Sequence, residues 1–246
     1  MILTHGPAAF FSELEDSEVA PHLHPEFCPP NPLFPNPAGQ AGLANLCYLP
    51  PEVQRQKISA ITELFQHQYG HQPLSFRAGR FAISGTTLQI LAEHGYLIDT
   101  SITPGIRWFD HTRMTPIDFR FKPRYPHFPF ARHHQSQWQR FLEVPVSIAG
   151  YWPFPRTWLR PRWCDNMITT AQRILHSQIL KKKKILNIMF HNVDACAGCS
   201  PHCRDQSQEE DFLHQLDQFL NWCKENDAIF MTLNQLHQEL ACASSS

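Results

Sequence analysis

The segment LSFRAGRFAISGTTLQILAEHGYLIDTSITP, residues 74–104, holds a complete structural unit. Leu74–Phe76 reads as a brief buried strand. Thr86–His94 reads as a short helix with Leu88 and Leu91 facing inward and Gly95 at its C-terminal end, where a left-handed residue closes a helix. Tyr96–Asp99 then reads as the next strand. A strand, a crossing helix and a second strand of the same direction make the repeating unit of a parallel sheet.

The flanking sequence extends this alternation. Upstream, Glu18–His24 is expected to form a short strand that runs into a proline-rich loop, Pro25–Pro51. A helix follows over Glu52–Tyr69, with Val53, Ile61, Leu64 and Phe65 on one side and Gly70 as its stop signal. Downstream, Thr103–Arg140 shows no sustained period; a stretch this long is either a functional insertion or disordered. Leu142, Val144, Val146 and Ile148 alternate with Glu143, Pro145 and Ser147, a strand period that Pro145 relegates to an edge or a bulge. Asp165 is expected to cap a helix reaching Leu180, with Lys181–Lys184 favourably placed against its dipole. Ile185–Phe190 reads as the strongest buried strand. Ser207–Glu210 has capping-box spacing ahead of a helix carrying Phe212, Leu216, Phe219, Leu220 and Cys223. Ala228–Thr232 is expected as a final strand, and Thr232 and Gln235 as the caps of a last helix. The fold class is therefore α/β, with a parallel sheet that is open or closed into a barrel.

Composition narrows the function. A chain of 246 residues that is 42% hydrophobic can bury one substantial core. A formal net charge of -1 supplies no basic field for nucleic acid or an anionic membrane. No apolar run approaches the ~18 residues a membrane span needs. Met1–Phe11 lacks the layout of a signal peptide, so a cytoplasmic location is expected, with the eight cysteines mostly reduced. The 21 prolines imply long ordered loops, and the 15 histidines direct attention to metal and acid–base chemistry.

Four clusters carry that chemistry. In His22-Leu23-His24-Pro25, residues two apart on an extended strand share a face, so both imidazoles can reach one ion; two surface histidines would read the same way. In Phe76-Arg77-Ala78-Gly79-Arg80-Phe81, two arginines straddle a glycine just after a buried strand. Such placement is costly unless each guanidinium meets a carboxylate or a substrate oxygen, or both lie on a surface turn. In Met189-Phe190-His191-Asn192, a histidine ends an apolar strand, where it suits a general acid or a satisfied core position. Cys196-x-x-Cys199-x-x-x-Cys203, with His202, brings three thiols and an imidazole within eight residues, a half-site for zinc unless Cys28 or Cys223 joins.

Taken in this order, SEVAPHLHPEF, LSFRAGRFAISGTTLQILAEHGYLIDTSITP, FLEVPVSI, NIMFHNVDACAGCSP and FMTLNQL resemble the polysaccharide deacetylases, the NodB-homology group of carbohydrate esterases. The resemblance covers most of residues 1–241 as one domain, with 242–246 as a tail. It implies a distorted (β/α) barrel and a divalent ion, commonly zinc, held by one aspartate and two histidines. His22 and His24 match the metal histidines in a variant spacing. Arg77 matches the arginine that supports the catalytic carboxylate, Asp99 lies in the segment leading to its partner motif, and His191 matches the general acid, with Met189 where leucine is usual. Arg80, Asp99 and Trp152 are the candidates for contact with a carbohydrate substrate.

One departure is large. The first motif of that group, a strand ending in paired aspartates, supplies the base and the third ligand and belongs ahead of Pro7-Ala-Ala-Phe-Phe11. The chain as given opens with Met1-Ile2-Leu3-Thr4-His5, and Asp16 comes too late to substitute. The expectation is a barrel without its first strand, from a start assigned too far downstream or from loss of the base. Removal of acetyl groups from N-acetylated sugars is then either weakened or absent. The alternative is a non-catalytic carbohydrate-binding relative that keeps the aromatic loops of Trp108, Trp138, Trp152, Phe154 and Trp158. A third reading is a Cys/His zinc module with an interaction role.

Overall fold

The computed structural model describes residues 17–32, 44–109, 116–133, 138–150 and 155–243. Among them, a parallel four-stranded sheet and five α-helices form a mixed α/β architecture. The sheet consists of β1 (His22–Leu23), β2 (Ser75–Ala78), β3 (Ile98–Asp99) and a fourth strand, Leu142–Glu143, in that spatial order. Helix α1 (Pro51–Tyr69) lies between β1 and β2 in the chain, and α2 (Gly85–Glu93) between β2 and β3. No helix among the described residues is long and apolar enough to cross a membrane.

Local chemistry sets the helix ends. Pro51 occupies the first turn of α1, where its missing N–H leaves no bond unmade, and Gly70 closes the helix at φ +74° with its N–H on the Gln66 carbonyl. The buried face of α1 centres on Ile58, Thr62 and Phe65 and also takes in Gln54 and Lys57. Gln54 bonds to the Leu49 carbonyl and the Thr87 hydroxyl. Lys57 donates to the carbonyls of Pro25, Cys28 and Pro30 at 2.9, 2.6 and 2.7 Å, which ties the loop after β1 to the helix. Ser84 and Thr87 cap α2 reciprocally.

After β3, the long middle segment forms an antiparallel hairpin, β4 (Arg107–Trp108) with β5 (Ile117–Asp118). The expected strand over Leu142–Ile148 breaks in two around Pro145. Its first part is β6 (Leu142–Glu143), the fourth strand of the sheet; its second is β7 (Ile148–Ala149), which pairs with β8 (Thr157–Trp158). Glu143, which alternates with the apolar residues of that run, is fully buried as they are. The next helix, α3 (Met167–Ser177), is capped by Asn166 and not Asp165, and it ends short of Leu180. Likewise Asp205, not Ser207, caps α4 (Gln206–Glu225). Thr232 and Gln235 cap α5 (Leu233–Ala243) reciprocally, as their spacing predicts.

Two expected strands are absent from their positions. Ile185–Phe190 is irregular and mostly half-buried. The Ser147 N–H reaches the Asn187 carbonyl, but the Asn187 N–H goes to the Ser147 hydroxyl and its amide group to the Val144 and Pro145 carbonyls. Side-chain bonds thus replace the ladder that a strand requires. Ala228–Thr232 forms no strand either, and Ile229 and Phe230 are 77% and 56% exposed. An apolar run without a paired neighbour lacks the hydrogen bonds that would hold it extended.

Candidate functional site

The site is built at the ends of β1 and β2, where parallel pairing sets His22 opposite Arg77 and Leu23 opposite Ala78. The Nδ1–H of His22 donates to the Arg77 carbonyl at 3.0 Å, so Nε2 keeps its lone pair. His24 Nε2 stands 3.2 Å from that nitrogen, with the two rings edge to face. Arg80 NH1 approaches His24 Nδ1 at 3.3 Å. The bonds form one consistent chain: Arg80 donates to His24 Nδ1, His24 Nε2–H donates to His22 Nε2, and His22 Nδ1–H donates to the backbone. Desolvation in the cleft, and then the neighbouring His24, lower His22 to about 4, and desolvation also lowers His24. Both rings are therefore neutral at pH near ~7, the state in which imidazole binds metal.

Glu26 supports this arrangement from behind. It is buried in the turn Pro25–Phe27, with Oε1 2.6 Å from Arg80 NH2 and 3.6 Å from His24 Nδ1. Burial alone would raise its carboxyl, but the Arg80 guanidinium outweighs that and holds it below the usual range. Arg80 itself sits at φ +54° and Phe81 at φ +56°, two consecutive left-handed residues without a glycine between them. Such strain persists only where surrounding contacts enforce it. Here the Glu26 ion pair and a bond to the Ala44 carbonyl hold Arg80, while Phe81 stacks on Trp108 and lies against Trp158.

Arg77 does not meet a carboxylate within ion-pair distance among the described residues. Its Nε donates to the Thr100 carbonyl and its NH2 to the Thr100 hydroxyl, each at 3.0 Å. The Thr100 hydroxyl donates to the Val144 carbonyl and accepts from the Asn187 amide. The carboxylates near Arg77 are Asp99 and Glu143, register partners on β3 and β6. Burial raises both; for Glu143 the neighbouring Asp99 adds to the rise, and its carboxyl goes well above the usual range. The pair therefore retains a proton where isolated carboxyls have lost theirs.

Asp99 stands apart from the cleft. It is fully buried, does not line the cleft, and accepts from the Ser101 N–H and hydroxyl at 2.9 and 2.8 Å. Its position in the middle of the sheet, between β2 and β6, is the reason. Trp152 and Phe154 lie outside the described residues, as do Asp16 and the segment Met1–Phe11.

His191 begins the short turn Asn192–Ala195. Its N–H donates to Asp194 Oδ2 at 3.0 Å, and its Nδ1 is 3.5 Å from the same oxygen. Asp194 is buried, paired with Arg160, and accepts from the Ser200 hydroxyl at 3.1 Å. Burial alone would raise its carboxyl; the His191 N–H and then the Arg160 guanidinium outweigh this and hold it low.

These elements converge on one cleft of about 500 Å³, lined by His22, His24, Arg77, Arg80, Phe81, Thr100 and His191, among others. Five of the seven site residues expected from the sequence therefore meet: His22, His24, Arg77, Arg80 and His191. Nitrogens bound to one zinc at about 2.0–2.1 Å and a tetrahedral angle lie about 3.3–3.4 Å apart. The 3.2 Å between His22 Nε2 and His24 Nε2 fits two adjacent ligands of such a shell. No group of three or more His, Cys, Asp or Glu side chains suited to a metal assembles among the described residues. Glu26 and Asp194, the carboxylates next to these histidines, face Nδ1 of His24 and Nδ1 of His191.

Sequence reasoning passed over Thr100, Glu143 and Asn187. Only Glu143 carried a signal, as the one charged side chain in an otherwise apolar run. Of the aromatics expected to face sugar, Trp108 and Trp158 pack around Phe81, and Trp138 stacks on His133 at 4.3 Å. Compared with models of known protein families and with curated proteins, the chain matches none.

Proposed function

We propose that this chain is a relative of the polysaccharide deacetylases, its four parallel strands part of a distorted (β/α) barrel, and that it hydrolyses the acetamide of N-acetylated sugars slowly. The observation that carries the reading is the pairing of His22 Nε2 with His24 Nε2 at 3.2 Å in a cleft that also holds Arg77, Arg80 and His191. In this reading His22 and His24 hold a divalent ion, zinc. A bound divalent ion supplies Lewis acidity toward an amide carbonyl oxygen.

The remaining roles fall to the chain's own side chains. His22 is fixed as a donor by its bond to the Arg77 carbonyl. His24 must move its proton from Nε2 to Nδ1 before it can ligate, and Glu26 stands on that side to receive the new Nδ1–H. Arg80 releases Nδ1 in the same change and keeps its ion pair with Glu26. His191, with Nδ1 toward Asp194, has Nε2 left to protonate the departing amine. Phe81 and Met189 give the cleft an apolar wall.

A weaker, purely carbohydrate-binding role is favoured by one observation: among the described residues no third His, Cys, Asp or Glu assembles with the histidine pair as a metal ligand. The two readings separate in one experiment. The purified full chain is titrated with zinc by calorimetry, and acetate release from an N-acetylglucosamine oligomer is followed with and without zinc. Zinc binding that disappears in His22→Ala, with slow zinc-dependent acetate release, supports the hydrolase. Oligomer binding without acetate release supports the binding protein. Absence of zinc binding overturns the metal assignment.

A further inference from the structure

We propose that Cys196 and Cys199 form a reversible thiol–disulfide exchange site that responds to low-molecular-weight disulfides. The assignment is independent of the metal and hydrolase reading above, because neither cysteine lines the cleft.

The geometry is that of a dithiol close to closure. The Cys199 thiol lies 3.1 Å from the Cys196 sulfur, and both side chains are exposed. The Cys199 N–H bonds to the Cys196 carbonyl at 3.1 Å, which makes residues 196–199 a single turn. Such a turn keeps its end Cα atoms within about 7 Å, and a disulfide needs them about 4.4–6.8 Å apart. Closing the bond brings the sulfurs about 1 Å nearer, to about 2.05 Å. Gly198 gives the turn room for that change, at φ +75° with nothing within 4 Å of where a Cβ would stand.

The frame around the turn is fixed. Ala197 N–H donates to Glu209 on α4 at 2.7 Å, and Gly198 N–H to the Cys203 carbonyl at 2.8 Å. Asp194 holds His191 on one side of the turn and Ser200 on the other. The two sulfurs are thus held within reach of each other, so that a mixed disulfide formed on one can be displaced by the other. Cys203 is fully buried and so is shielded from a soluble oxidant. A zinc knuckle over the same residues lacks a third assembled ligand among the described residues.

The step balances with a small disulfide RSSR as oxidant. One thiol, as its thiolate, attacks RSSR and forms a mixed disulfide, releasing one RSH. The second thiol displaces the other RS group, which leaves as RSH. The dithiol has lost two electrons and two protons, and RSSR has become two RSH.

The test equilibrates the full chain with graded ratios of oxidised to reduced glutathione, then labels it with maleimide and maps the tryptic segment 185–204. The expected result is joint loss of both maleimide additions at Cys196 and Cys199, with a mass lower by two hydrogens, reversed by dithiothreitol and retained in Cys203→Ala. Cys199→Ser should instead trap glutathione on Cys196. Independent labelling of both thiols at every ratio, or a disulfide that requires Cys203, overturns the proposal. So would zinc that co-purifies with the chain and is lost in Cys196→Ser.

Discussion

The Cα of Gly79 stands directly against His24: a Cβ at that position would lie 2.8 Å from His24 Cγ, 2.9 Å from its Nδ1 and 2.8 Å from the Leu23 carbonyl oxygen. The glycine between the two arginines is therefore the space in which the His24 ring sits. The Leu23 carbonyl belongs to the paired strand β1 and cannot yield easily. Gly79→Ala should cost about 1–3 kcal/mol of overpacking, and turning the His24 ring away is the easiest relief. Thermal unfolding with and without zinc should show a lower melting temperature and a smaller zinc-induced rise. A variant with both values unchanged would refute the close-approach argument.

The three histidines should separate by readout. His22→Ala and His24→Ala each remove a donor of the 3.2 Å pair and should abolish zinc retention through dialysis. His191→Ala should keep the zinc and lower acetate release about 100-fold or more, as loss of a general acid does. Elemental analysis beside the activity assay checks this. Zinc loss in His191→Ala, with unchanged turnover per bound ion, would make His191 a ligand.

The Asp99–Glu143 pair makes stability depend on pH in a definite direction. An ordinary glutamic acid titrates near ~4.3, and burial together with Asp99 raises Glu143 well above that range. Because the folded value is raised, its contribution is complete below the ordinary value and declines as pH rises through the folded one. Glu143→Gln fixes the uncharged form. Its melting temperature should exceed the parent's at about pH 8, and the gap should narrow toward about pH 4. A gap that widens on acidification would show that the pair is ionised in the fold.

Arg160 and Asp194 are a buried ion pair, with side chains 4% and 3% exposed. Arg160→Met leaves Asp194 uncompensated and should destabilise the fold by about 3–5 kcal/mol in urea unfolding. The paired change Arg160→Met with Asp194→Leu should cost less than the single one. Asp194 is held low, so its own contribution is present above the ordinary carboxyl range and lost as pH falls through the depressed value. Equal losses from the single and double variants would mean that the charge is not what matters.

Short-range chemistry was enough to place several local elements and the types of donor. Helices α1 and α2, the strands beside them and the reciprocal cap at Thr232 and Gln235 follow from period, glycine stops and capping residues, all of which act within a few positions. The two-residue spacing of His22 and His24 likewise placed both rings on one side before any fold was known. Tertiary structure alone decided the rest. Whether Ile185–Phe190 and Ala228–Thr232 become strands depends on a neighbour's backbone, and Asn187 bonds and the exposure of Ile229 reveal how those neighbours differ from a ladder. Glu143 and Asp99 became a buried pair through sheet register, and Glu26 became the support of His24 through a turn held by Lys57. A charge in an apolar run does not announce its partner, because the partner is set by contacts dozens of residues away.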